Sequence, residues 1–137
     1  MSRIGAAVRT DTANWISTSE YDLDTARHML ATGRYLYVVF MCHLALEKML
    51  KAHATDATGS APARTHDLLY LVKSTGLRLP LEHLEFVGRI NNASVVTRYP
   101  EDLQRALAQY PVGVAREYLH HTEEVLEWLK EQLTSRP

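Results

Sequence analysis

Apolar positions recur along this chain at three- and four-residue spacing, the period of helices that turn one face to a core. Beginning near Thr12, which suits an N-cap, Ile16, Leu23, Ala26, Met29 and Leu30 share a face while Glu20, Asp24 and Arg27 fall elsewhere, predicting a first helix that ends at Gly33. A second runs from about Arg34 to Thr55. Tyr37, Val38, Val39, Phe40, Met41, Leu44 and Leu46 make it apolar nearly all round, the pattern of a helix surrounded by others. Gly59, Ser60 and Pro62 mark Asp56 to Arg64 as loop. A short third helix is predicted from near Thr65, with Leu68, Leu71 and Val72 inward, stopping before Gly76. Pro80 suits the first turn of a fourth, which carries Leu81, Leu84, Val87 and Ile90 inward and fades around Asn91 and Asn92. Two prolines interrupt residues 93–111, which read as mostly loop, although Leu103, Ala106 and Leu107 after Pro100-Glu101-Asp102 can wind two turns. The last helix is the clearest: Ala115, Tyr118, Leu119, Thr122, Val125, Leu126, Leu129 and Leu133 keep its period from Val112 to near Leu133.

These elements predict an all-α fold, an up-and-down antiparallel bundle of four to five helices. The 137 residues match one domain, 1–137 with a core of about 12–134. At 46% hydrophobic and 23% charged, the composition excludes a disordered tail, a collagen-like fibre or a disulfide scaffold. A chain this size buries roughly 68% of its unfolded surface, so no cofactor and no metal is expected for stability. Fifteen basic against sixteen acidic residues supply no broad field for nucleic acid or an anionic membrane, so any such binding must be local. The lone Cys42 lies in an apolar run and reads as a small buried hydrophobe in a reducing compartment. The first fifteen residues hold no signal-like apolar stretch, and the run Tyr35 to Leu46 contains His43 and falls short of the ~18 residues of a membrane span. A cytoplasmic protein with no membrane contact is therefore expected. Tyr35, Tyr37 and Trp128 add large apolar surface, which either serves a homodimer or lies half-buried with its polar tips wet.

Three segments in order carry a family resemblance: Tyr35 to Ala52, closing in Ala45-Leu46-Glu47-Lys48-Met49-Leu50-Lys51; then Thr65-His66-Asp67-Leu68; then Thr97-Arg98-Tyr99-Pro100. Together they resemble the HEPN domain, the higher eukaryote and prokaryote nucleotide-binding family, from about Thr18 to Leu133. The resemblance implies a bundle of four to five helices, usually dimeric. It also implies a nucleotide- or RNA-binding module that partners a minimal nucleotidyltransferase in a toxin/antitoxin-like pair.

Individual residues then take candidate roles. Glu47 and Lys51 stand at i,i+4, either an ion pair worth roughly 0.2 to 0.5 kcal/mol or, with Lys48, a ligand-contacting group. His43 and Glu47 share a face at a spacing that suits metal or acid/base work, but no third ligand stands nearby in sequence, so no metal site is expected. His66 stands at a helix start, where it either bonds to backbone or does chemistry. Pro100 pushes Tyr99 toward an extended backbone, so Arg98 and Tyr99 are presented on a restrained segment. An arginine so held can bind phosphate bidentately and a tyrosine can stack on a base; alternatively both simply pack and pair. Arg89, Arg98, Arg105 and Arg116 make this stretch the best local positive patch. Arg98, Tyr99, Lys48, Lys51 and His66 are thus the candidate phosphate- and nucleotide-binding residues.

Many members of the resembled family are metal-independent ribonucleases that place a histidine four to six residues after an arginine, paired across a dimer. His can shuttle the 2′-hydroxyl proton while Arg neutralises developing phosphorane charge. Formal matches occur at Arg78 to His83 and at Arg116 to His121, as chance supplies among eleven arginines and seven histidines. Residues 89–97, the analogous place for the pattern, hold no histidine. Arg116 and His121 are the catalytic candidates of this alternative, beside the Arg-Tyr-Pro loop; a structural dimerisation domain is the third reading.

Overall fold

The structure is a computed structural model that describes residues 8–135; residues 1–7 and 136–137, the ends of the expected domain, lie outside the described residues. Six helices follow one another: α1 Thr10–Ala31, α2 Tyr35–Thr58, α3 Leu68–Thr75, α4 Leu81–Arg98, α5 Leu103–Gln109 and α6 Val112–Ser135. The described residues contain no strand. No helix among them is long and apolar enough to cross a membrane.

α1 and α2 form a helical hairpin. Gly33 takes φ 79°, with its N–H on the Leu30 carbonyl and the Arg34 N–H on that of Met29, so the last carbonyls of α1 are satisfied as the chain reverses. The helix starts before Thr12, whose hydroxyl faces inward against that of Thr55, 2.7 Å away, instead of capping. α2 packs against every other helix, as its all-round apolar pattern predicts. It overruns the expected end at Thr55 by about a turn, because left-handed backbone first comes at Gly59, φ 70°.

Two boundaries differ for a reason that periodicity does not carry. α3 starts at Leu68, not near Thr65, because Asp67 caps it, accepting from the backbone N–H groups of Leu69 and Tyr70. α4 does not fade at Asn91. That side chain accepts from the Leu68 N–H at 2.9 Å and donates to Asp67 at 3.1 Å, so its polarity is spent on α3 and the helix continues. Ala93 and Thr97 maintain the inward face of the extension. Residues 93–111 are thus mostly helix, not mostly loop: α4 reaches Arg98, and the two turns allowed after Asp102 form α5, capped by Asp102 on the Arg105 N–H.

The core gathers Leu46, Met49 and Leu50 of α2, Leu68 and Leu71 of α3, Phe86 and Ile90 of α4, and Leu129 and Leu133 of α6, all essentially fully buried. Two polar side chains within it are paired with backbone: Ser19 donates to the Ala45 carbonyl at 2.7 Å and His53 Nε2 meets that of Leu129 at 2.7 Å. Cys42 is a free buried thiol whose titration is pushed up to about 12 by burial, so it acts as a hydrophobe. Of the three large surface candidates, Tyr37 stands half exposed, whereas Tyr35 and Trp128 pack partly buried against the core. Urea denaturation checks this account: Leu46→Ala should cost about 2 to 5 kcal/mol and Asp67→Ala about 0.5 to 2 kcal/mol. Equal, near-zero effects would contradict it.

Candidate functional site

Phe40, His43, Glu47 and Lys51 follow one another at three, four and four residues and therefore line one face of α2, over roughly 16 Å. Glu47 is at the centre of the stripe and its side chain is only 4% exposed. One carboxylate oxygen accepts from Lys51 Nζ at 3.2 Å; the other accepts from Nδ1 of His66 at 2.8 Å. Lys51 Nζ also sits 5.5 Å from the centre of the Trp15 ring, on α1. At the other end Arg98 lays its guanidinium on Phe40, 5.1 Å from the ring centre.

Local structure explains each placement. His66 is held between a turn at Ala63–Thr65, closed by the Thr65 N–H on the Ala63 carbonyl, and the Asp67 cap that Asn91 secures. Arg98 is the last residue of α4, and Tyr99 leaves the helix at φ −135° and ψ 67°, outside the α region that the following proline disfavours.

His43 connects the two ends. It is fully buried, its Nδ1 lies 4.0 Å from Glu47, and neither ring nitrogen has a hydrogen-bond partner among the described residues. Burial drives its titration down to about 4; Glu47 and the backbone of His66 oppose this, while the Arg98 guanidinium and the His66 imidazole add to it. Glu47, Arg98 and His66 therefore all act on this one imidazole. Nη2 of Arg98 is likewise buried without a hydrogen-bond partner among the described residues.

Of the binding candidates read from the sequence, the structure brings Lys51 and His66 together on Glu47 and sets Arg98 over Phe40 at the far end of the same stripe. Lys48 lies elsewhere, paired with Asp22 of α1 at 2.7 Å. Tyr99 points away from Arg98: it is 72% exposed and lines a separate cavity of about 320 Å³ with Pro100, Arg105 and Gln109 between α4 and α5. The arginines do not share a face either. Arg89 lies over Phe86, nine residues before Arg98 and so roughly 180° around α4.

Arg116 and His121 are about 140° apart around α6 and do not converge within the chain. Arg116 is exposed, whereas His121 stacks on Phe86 at 4.1 Å and meets Nδ1 of His83 at 3.3 Å. Burial and His83 hold His121 below the usual imidazole range, against the opposing pull of Glu124 and Glu82, and Arg89 lowers it further. His120 pairs instead with Glu124 on the outer surface. No group of three or more His, Cys, Asp or Glu among the described residues is arranged to hold a metal ion. Trp15 and Phe40, the aromatic ends of the stripe, carry no signal in the sequence beyond helical period; His43 does, through its i,i+4 relation to Glu47.

The HEPN domain model matches residues 12–132. Among solved structures, TT1696 from Thermus thermophilus superposes with a TM-score of 0.78 at 22% identity, covering 91% of this chain and 100% of that one. ST0689, an archaeal HEPN homologue, superposes with a TM-score of 0.73 at 23% identity, covering 92% and 100%. At these identities the likeness carries the fold alone. No curated protein matches.

The buried His43 makes stability depend on pH. Its folded titration point, about 4, lies below the ordinary 6.5, so the unfolded chain binds the proton first as pH falls. Its contribution is whole above pH ~6.5 and is lost down to pH ~4, about 3 kcal/mol in all. His43→Leu should flatten the decline of the unfolding free energy from urea denaturation between pH 7 and 4.5 by about 2 to 3 kcal/mol relative to wild type. Identical profiles would contradict a buried neutral imidazole.

Proposed function

The chain belongs to the HEPN domain family, matched over residues 12–132, and from that premise we propose a nucleotide- or RNA-binding module whose phosphate site is the α2 stripe closed by Arg98, Lys51 and His66. The observation that carries this reading is the set of buried polar atoms without partners among the described residues, Arg98 Nη2 and both ring nitrogens of His43, beside a carboxylate that already accepts from Lys51 and His66. A buried charged donor left without an acceptor costs more than the ~1 to 3 kcal/mol of a neutral one. A phosphate oxygen at Arg98 relieves that cost through a charge-assisted hydrogen bond. The site is local and leaves the near-zero net charge of the chain unaffected, as the composition requires.

The reading includes a protein partner, a minimal nucleotidyltransferase in a toxin/antitoxin-like pair, and a homodimeric module. What supports a protein contact is the apolar corner where α4 meets α5: Val95, Tyr99, Leu103 and Leu107 are all substantially exposed. The ribonuclease alternative has no such support within one chain, since Arg116 and His121 face different neighbours.

Calorimetry with ATP and with inorganic pyrophosphate tests the site. Wild type should bind both, and Arg98→Ala should lose about 1.5 to 3 kcal/mol, roughly 10- to 150-fold, while Arg105→Ala keeps wild-type affinity. No binding by wild type, or equal affinity in Arg98→Ala, would overturn the reading.

A further inference from the structure

Three exposed histidines each pair with a carboxylate, and one differs from the other two. His28 meets Asp24 at 3.3 Å and His120 meets Glu124 at 3.0 Å, both through Nε2, both one helical turn away on their own helix. Those carboxylates are 63% and 49% exposed, so water competes for them and the pairs hold the rings weakly. His66 uses the other nitrogen, Nδ1, on a carboxylate that is 4% exposed and fixed from its far side by Lys51. The partner comes from a different element, and the loop carrying His66 is anchored on both sides.

The consequence is a defined tautomer. The Glu47 carboxylate only accepts, so Nδ1 carries the proton and the lone pair resides on Nε2. The His66 side chain is 63% exposed, and Nε2 has no hydrogen bond among the described residues. An accessible imidazole lone pair with a carboxylate behind it is an activated nucleophile. Lys51 stands on the same carboxylate, with Nζ 3.2 Å from Glu47, and brings positive charge to the cluster.

We propose that Nε2 of His66 is a phosphoryl acceptor, charged from the terminal phosphate of a phosphoanhydride such as a nucleoside triphosphate; this rests on the reading of the α2 stripe as a phosphate site. The Nε2 lone pair forms a bond to phosphorus as the bond to the leaving diphosphate breaks, and the diphosphate departs with that electron pair. The Nδ1 proton passes to Glu47 and on to solvent. Nothing is oxidised or reduced.

Potassium phosphoramidate, a small donor that needs no nucleotide pocket, provides the test, with the adducts mapped by mass spectrometry under basic conditions. In the wild-type protein His66 should be labelled at Nε2 at least about tenfold faster than His28 or His120. Glu47→Gln should erase that advantage, since an amide can donate to Nδ1 and reverse the tautomer. Labelling of all three histidines at one rate, or labelling of His66 at Nδ1, overturns the proposal, and the wild-type comparison holds even if Glu47→Gln fails to fold. Selective labelling of a chain that binds neither ATP nor pyrophosphate would sink the phosphate-site reading while supporting a reactive His66. Tight ATP binding with unselective labelling would do the reverse.

Discussion

Burying the Glu47 carboxylate among the helices removes hydration worth several kcal/mol, and only opposite charge and hydrogen bonds on both oxygens make that tolerable. Lys51 supplies one partner from the next turn of the same helix. His66 supplies the other from a loop that has no helical reason to be there, and it reaches Glu47 because Asp67 and Asn91 lock the start of α3. The two extra turns of α4 then bring Arg98 over Phe40. Three separate pieces of chain thus converge on one oxygen pair and its neighbour His43, and the polar stripe of α2 becomes a site instead of a defect in the core.

α4 divides the chemistry of the molecule. On one side Arg98 joins His43, Glu47, Lys51 and His66; roughly half a turn round, Arg89 and Phe86 face α6, where His121 and His83 meet. Arginine and histidine therefore occur on both sides, in different company. On the α2 side they surround a buried acid and leave donors without acceptors; on the α6 side they satisfy one another by stacking and a ring-to-ring hydrogen bond. Unsatisfied polarity is the feature that a ligand can exploit, which is why function is placed with the first group.

Much of this was readable from residue spacing. The helical hairpin, the central position of α2 and the span of α6 follow from periodicity with Gly33 and the apolar run after it, and Gly76 and Pro80 mark the turn between α3 and α4. Glu47 with Lys51 was legible as an i,i+4 pair and His66 as a separate candidate at a helix start, while their meeting on one carboxylate was not. What periodicity could not convey was where a polar side chain spends its hydrogen bonds. Asn91 looks like a helix terminator until α3 is placed beside it, and Thr12 looks like a cap until Thr55 faces it. Arg98 and Tyr99 are neighbours in sequence, but the helix ends between them, so one turns inward and the other toward a separate cavity. Trp15 joins the site only through the packing of α1 on α2.

The account depends on Glu47 holding the Nδ1 proton of His66, and imidazole tautomers are read directly by long-range proton–nitrogen correlation NMR on the uniformly labelled chain. The expected spectrum shows His66 as the Nδ1–H form at neutral pH, with His28 and His120 as the Nε2–H form their surface partners favour. A His66 resonance in the Nε2–H form, or averaged between the two, would mean that the buried carboxylate does not organise the site.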